Sequence, residues 1–233
     1  MSRFQRERVI DIAYLFLAPS GLLILMVLAF AGYYSGSHPV GYVTMTETFL
    51  ASAAIVLPLL RVTKKFITPY WFILSITGLV YLHGFGLYLG AYIAWENWDV
   101  LAHISASIIV TMIVFIGMLV VKEYTTVIEL GKVMFLLMVF VIGFGFGNFW
   151  EIVEWFIDNA FGYTYMSYSI HDTLRDIVTD LIGAGIMTLA AAYFLRIRTP
   201  FEILSGFGLH NFMTSMGKKW DRKCEPRTLT EDP

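Results

Sequence analysis

Cysteine is almost missing from this chain, and charge is scarce. The single cysteine among 233 residues, Cys224, lies in the polar C-terminal tail, which excludes an intrachain disulfide and a cysteine-built metal cage. Only 15% of residues are charged, against about a quarter in soluble domains, while 58% are hydrophobic. Most of the chain is therefore built for a medium other than water. A formal net charge of −2, with no basic stripe reaching the apolar segments, gives no footing for nucleic acid. Low-complexity sequence and internal repeats are absent too, which removes solenoid architectures.

What is present is apolar sequence in runs long enough to cross a bilayer, for which about 20 residues suffice. Six runs can be marked, at roughly Ile10–Tyr33, Met45–Val62, Pro69–Ala94, Asp99–Val121, Lys132–Ile157 and Asp172–Leu195. Only helices and closed barrels satisfy their backbone hydrogen bonds in lipid, and these runs lack two-residue alternation. The expected fold is an all-α, polytopic membrane bundle of six transmembrane helices over residues 1–198. A cytoplasmic tail, 199–233, follows; its FEILSGFGLHNF and KKWDRK stretches suit either an anionic membrane surface or water.

The connections carry an orientation signal. Arg3, Arg6 and Arg8 precede the first run, Arg61, Lys64 and Lys65 follow the second, Lys122 and Lys132 bracket the fourth loop, and Arg196 and Arg198 open the tail. The three intervening loops contain neither Lys nor Arg. The positive-inside rule then places both termini in the cytoplasm. The first run with Ala29-Phe30-Ala31 also resembles a signal peptide, but it exceeds 20 residues, longer than an ordinary signal core. A retained span is the expectation.

Ionisable residues inside spans are costly and functional by default. On the derived topology Asp99 and His103 fall at the outer start of the fourth span, and Glu151 and Glu154 near the outer end of the fifth. Asp172, Asp176 and Asp180 fall in the outer third of the sixth, His83 in the outer half of the third, and Glu47 at the outer edge of the second. The inner halves of the third, fourth and sixth spans hold no Asp, Glu, His, Lys or Arg. Spacings of three and four put each helix's set on one face, so a shared polar pocket beneath the outer surface is expected. Packed carboxylates repel unless protons or a cation neutralise them. A divalent metal held by Asp99, His103, Glu151, Glu154, Asp176, Asp180 and His83 does so economically, as in bundles that draw inward Glu and His from several helices. The oxygen-rich set suits Mg²⁺, Mn²⁺, Fe²⁺ or Zn²⁺ and does not choose among them.

Three motifs, WDVLAH (98–103), FWEIVEW (149–155) and DTLRDIVTDLIGA (172–184), resemble the YjdF-like family of prokaryotic inner-membrane proteins. The resemblance covers the third to sixth spans. It implies a multi-pass protein of a prokaryotic plasma membrane with polar positions at Asp99, His103, Glu151, Glu154, Asp172, Asp176 and Asp180, and it supplies no reaction.

Blander roles compete at each position. Asp172 sits where a helix N-cap would, and Asp99 could cap the fourth span. His83 could bond a neighbouring carbonyl. Arg175 could pair with an acid or grip an anionic substrate at the mouth. The glycines GFGFG (143–147), HGFGLYLG (83–90) and GAG (183–185) lack the strand and turn of a nucleotide loop, and instead let helices approach. Trp95, Trp98, Trp150, Trp155, Tyr163, Tyr165 and Tyr168 read as an outer aromatic belt, and Pro58 as a kink.

The expected function is a membrane-embedded, metal-dependent enzyme, a hydrolase or transferase acting at the outer leaflet on a lipid-linked or headgroup substrate. Glu151 or Asp172 would serve as general base. Two alternatives stand beside it: a cation- or proton-coupled transporter, and a structural protein with a buried polar network.

Overall fold

The computed structural model describes residues 69–95, 97–124, 130–161 and 169–209, with positions 24, 27, 28, 31 and 213. The first two expected spans, Glu47, Pro58, the three tyrosines of the fifth loop and most of the tail lie outside the described residues. Within them the chain is helical throughout: α1 Tyr70–Tyr88, α2 Ala91–Ala94, α3 Asn97–Tyr124, α4 Lys132–Phe161, α5 Ile170–Ile197 and α6 Pro200–Gly206.

Among the described residues, α3, α4 and α5 are the helices long and apolar enough to cross a membrane. Their ends fall within a few residues of the expected fourth, fifth and sixth spans. The expected third span, Pro69–Ala94, is different. It divides, because α1 stops at Tyr88 and Gly90 takes a left-handed φ of 69° before the four-residue α2. A left-handed residue ends a helix, and glycine adopts that conformation without steric penalty.

Local chemistry fixes the other ends. Asp99 lies in the first turn of α3 and Lys122 in its last, each complementing the helix dipole. α5 begins at Ser169, whose hydroxyl accepts from the backbone N–H of Asp172. Asp172 is therefore not the N-cap, and its carboxylate accepts from Arg175 instead. Thr199 and Glu202 form a reciprocal capping box at α6, with Pro200 just inside the helix.

α3 and α5 run in the same direction and pack along each other, while α4 runs oppositely across both. One end of this trio is apolar. Phe115, Leu119, Phe135, Val139, Met187 and Ala191 are buried there, joined by Phe72 of α1 and Leu204 of α6. α6 folds back onto the bundle, with Phe207 edge-on to Trp71 and Phe72. A stripe of α4, including Val133, Leu137, Val141, Ile152 and Phe156, stays exposed. So large an apolar face on a helix of spanning length is what lipid covers.

Between helices in lipid the hydrophobic effect gives little, and close backbone approach with polar contacts takes over. The glycines serve this. A Cβ on Gly143 would sit 2.3 Å from Thr111 Oγ1, and one on Gly183 would sit 2.7 Å from the Ile104 carbonyl oxygen. Gly145 and Gly185 face open space.

Candidate metal centre

At the other end of the trio, the start of α3, the last turns of α4 and the start of α5 converge. His103, one turn inside α3, is buried with acids on both sides of its ring. Its Nδ1 lies 3.3 Å from Asp180 Oδ1 and 3.6 Å from Glu151 Oε1, and its Nε2 lies 3.5 Å from Asp99 Oδ1. Asp180 Oδ1 also accepts a 2.6 Å hydrogen bond from Ser107 Oγ. Room for the Asp180 carboxylate comes from α4, where a Cβ on Gly147 would stand 2.4 Å from Asp180 Oδ2.

Two trios of candidate ligands result, each with its atoms within 4.8 Å of one another: Asp99, His103 and Asp176, and His103, Glu151 and Asp180. Bonds of about 2.1 Å at tetrahedral or octahedral angles set neighbouring ligands about 3–3.5 Å apart. The separations around His103 match that spacing. Three buried carboxylate oxygens, Glu151 Oε1, Asp176 Oδ1 and Asp180 Oδ2, have no hydrogen-bond partner among the described residues. Unpaired carboxylate oxygens in a low-dielectric interior are expensive. An oxygen-rich set with one imidazole therefore fits a divalent ion.

The mouth of the cluster is closed by Arg175, which is partly exposed. Its Nη2 donates to Asp99 Oδ2 and to Asp172 Oδ1, both at 2.9 Å, and its Nε lies 3.8 Å from Asp176 Oδ1. Asp99 and Asp172, weighed above as caps, are thus drawn into the cluster by one guanidinium.

Of the expected ligands, Asp99, His103, Glu151, Asp176 and Asp180 meet in the two trios. Glu154 and His83 fall outside both. Glu154 is buried beside the cluster and accepts a 2.6 Å hydrogen bond from Trp150 Nε1, and His83 Nδ1 is hydrogen-bonded to the Tyr92 hydroxyl. Of the tryptophans expected in the belt, Trp95 and Trp155 are exposed, while Trp150 is half-buried and Trp98 packs over Gly86. Two polar residues escaped the sequence reading. Ser107 stands one turn from His103, and buried Asp158 lies one turn past Glu154. In both cases the spacing of three and four that flagged their neighbours simply continues.

A cavity of about 400 Å³ adjoins the cluster, lined by residues of α1, α3 and α4 and by Asp180 of α5, with His103 and Ser107 among them.

A family model described as "Predicted membrane protein (DUF2238)" matches residues 20–197, in keeping with the multi-pass resemblance carried by the three motifs. No curated protein and no solved structure matches the chain.

Proposed function

This chain belongs to the DUF2238 family of predicted membrane proteins, and we propose that its buried His–carboxylate cluster is the metal site of a membrane-embedded hydrolase or transferase. The substrate is lipid-linked or a lipid headgroup. The site faces the outer leaflet of a prokaryotic plasma membrane, as the distribution of Lys and Arg suggests. The observation that carries the reading is the set of three buried carboxylate oxygens without a hydrogen bond among the described residues, gathered around one imidazole.

An ion would be held by His103 with Asp99 and Asp176 on one side of its ring, or by His103 with Asp180 on the other. When bound, a divalent ion supplies Lewis-acid polarisation of a phosphoryl or carbonyl oxygen, or a water ready to ionise near neutral pH. Glu151 is the better placed base of the two acids considered, because its Oε1 is buried at the cluster without a hydrogen bond. Asp172 is committed to Arg175 at the mouth, where the pair orients an anionic group. Apolar walls around the cluster exclude water from the reacting atoms.

Transport is the second reading, and one feature favours it. Contacts run unbroken from Asp172 through Arg175, Asp99 and His103 to Asp180. Below Ser107 and Thr111, however, the described core is closed by Phe115, Leu119, Phe135 and Val139. A dead-ended polar chain suits a catalytic pocket better than a path.

The test is an assay of the full chain in nanodiscs against long-chain phosphoesters, with Mg²⁺, Mn²⁺, Zn²⁺ or Fe²⁺ supplied. Metal-dependent turnover that disappears in Asp176→Asn and Glu151→Gln, with both variants folded and inserted, supports the reading. Turnover unchanged in both variants contradicts it.

A further inference from the structure

The cavity beside the cluster is lined mostly by apolar side chains. Its polar lining is His83, His103, Ser107, Trp150 and Asp180. Its walls are Leu79 and Val80 of α1, Ala102, Ala106 and Val110 of α3, and Phe146 of α4. Ala102, Ala106 and Val110 recur every four residues, so they form one strip along α3. Their small side chains leave the trough open where larger ones would fill it.

Two aromatic residues of the trough lie exposed on α4. Phe146 is 54% exposed and Phe149, which also lines the cavity, is 60% exposed. On a spanning helix such exposure means contact with acyl chains. A ligand can then enter sideways from the bilayer without crossing water, a route suited to a molecule with a hydrocarbon portion. A fully polar ligand would have to desolvate along an apolar wall, which is costly for each polar group left unpaired.

Resting on the metal-site reading, we infer that this trough receives the hydrocarbon chain of a single-chain amphiphile, its polar group seated at His103, Ser107 and Asp180. The volume, about 400 Å³, lies toward the small end of ligand pockets, which favours one chain over the paired chains of a diacyl lipid. Ser107 has a defined part in this. Its hydroxyl donates to Asp180 Oδ1 at 2.6 Å while the residue lines the trough, so it joins the chain site to the cluster.

The experiment uses the full chain in nanodiscs and hexadecyl phosphate carrying a diazirine on its terminal carbon. After photolysis, labelled residues are mapped by mass spectrometry, and divalent metal is measured on the same sample. Labelling at Leu79, Val80 or Val110, competed by unlabelled hexadecyl phosphate but not by a diacyl phosphatidate, is the expected result. The label should be lost in Ala106→Phe, which plugs the trough, while the metal stays. Labelling confined to lipid-facing residues such as Leu137 and Ile182, or equal competition by phosphatidate, overturns the inference. The two proposals fail separately. Metal without trough labelling removes the chain site alone, and trough labelling without metal removes the metal centre alone.

Discussion

His103 Nδ1 lies 3.3 Å from Asp180 Oδ1 across 77 residues of sequence, while the opposite nitrogen of the same ring lies 3.5 Å from Asp99. One imidazole thus stands between two acids, one from its own helix α3 and one from α5. Removing it should do more than remove a ligand. His103→Ala leaves buried carboxylates facing one another, and deleting one partner of a buried charged pair costs about 3–5 kcal/mol. Thermal unfolding in nanodiscs should show a clearly lowered midpoint for His103→Ala and a smaller drop for Glu151→Gln, which removes a potential negative charge at similar volume.

Gly147 tests the packing that makes room for the site. Gly147→Ala places a methyl against Asp180 Oδ2, Cγ and Cβ at 2.4, 2.7 and 3.0 Å. Overpacking of this kind costs about 1–3 kcal/mol. Gly145→Ala, two residues away with nothing near its Cβ, should be neutral or gain up to about 1 kcal/mol from helix propensity. Unfolding midpoints of the two variants should therefore move in different directions, and only Gly147→Ala should disturb metal content.

Arg175 separates substrate handling from metal binding. Its bonds join Asp99 and Asp172 at a partly exposed mouth, where such pairs contribute about 1 kcal/mol or less. Arg175→Gln should therefore keep its metal and nearly its full stability, yet raise KM for an anionic substrate more than it lowers kcat. Equal loss of both through kcat alone would contradict a role at the mouth.

The capping box of α6 carries a pH dependence away from the cluster. The Thr199 backbone N–H, then its hydroxyl and Arg198, hold Glu202 below its ordinary value of 4.5. A depressed carboxyl contributes stability above its unfolded value and loses it as pH falls through the folded one. Docking of α6, read by hydrogen exchange at Leu204 and Phe207, should loosen below about pH 4.5. In Glu202→Gln that dependence should flatten. Thr199→Ala should loosen α6 at every pH, by about 1 kcal/mol.

Much of the site was legible because its physics is periodic. Asp99 and His103, and Asp176 and Asp180, repeat at four residues, so each pair had to share a helix face, and cost in lipid argued that the faces meet. The glycine runs were correctly read as close approaches, although only Gly143, Gly147 and Gly183 of those in spanning helices touch a neighbour tightly. What the sequence did not yield depends on neighbours. Ser169 takes the cap expected of Asp172 because the helix begins two residues earlier than its apolar pattern suggests. The break at Gly90 hides in an unbroken apolar run, since hydropathy is blind to a backbone angle. His83 and Glu154 have the right chemistry and depth, but Tyr92 and Trp150 hold them by hydrogen bonds that no linear spacing announces.

The most direct test of the metal centre is elemental analysis of the full chain, purified without chelator and measured before and after chelation, beside His103→Ala and Asp176→Asn. A stoichiometric divalent ion in the native chain, removed by chelator and absent from both folded variants, is the predicted result. A folded native chain with no divalent metal above background, after loading with Mg²⁺, Mn²⁺, Zn²⁺ and Fe²⁺ in turn, would contradict it and leave His103 as the imidazolium of a proton-satisfied network.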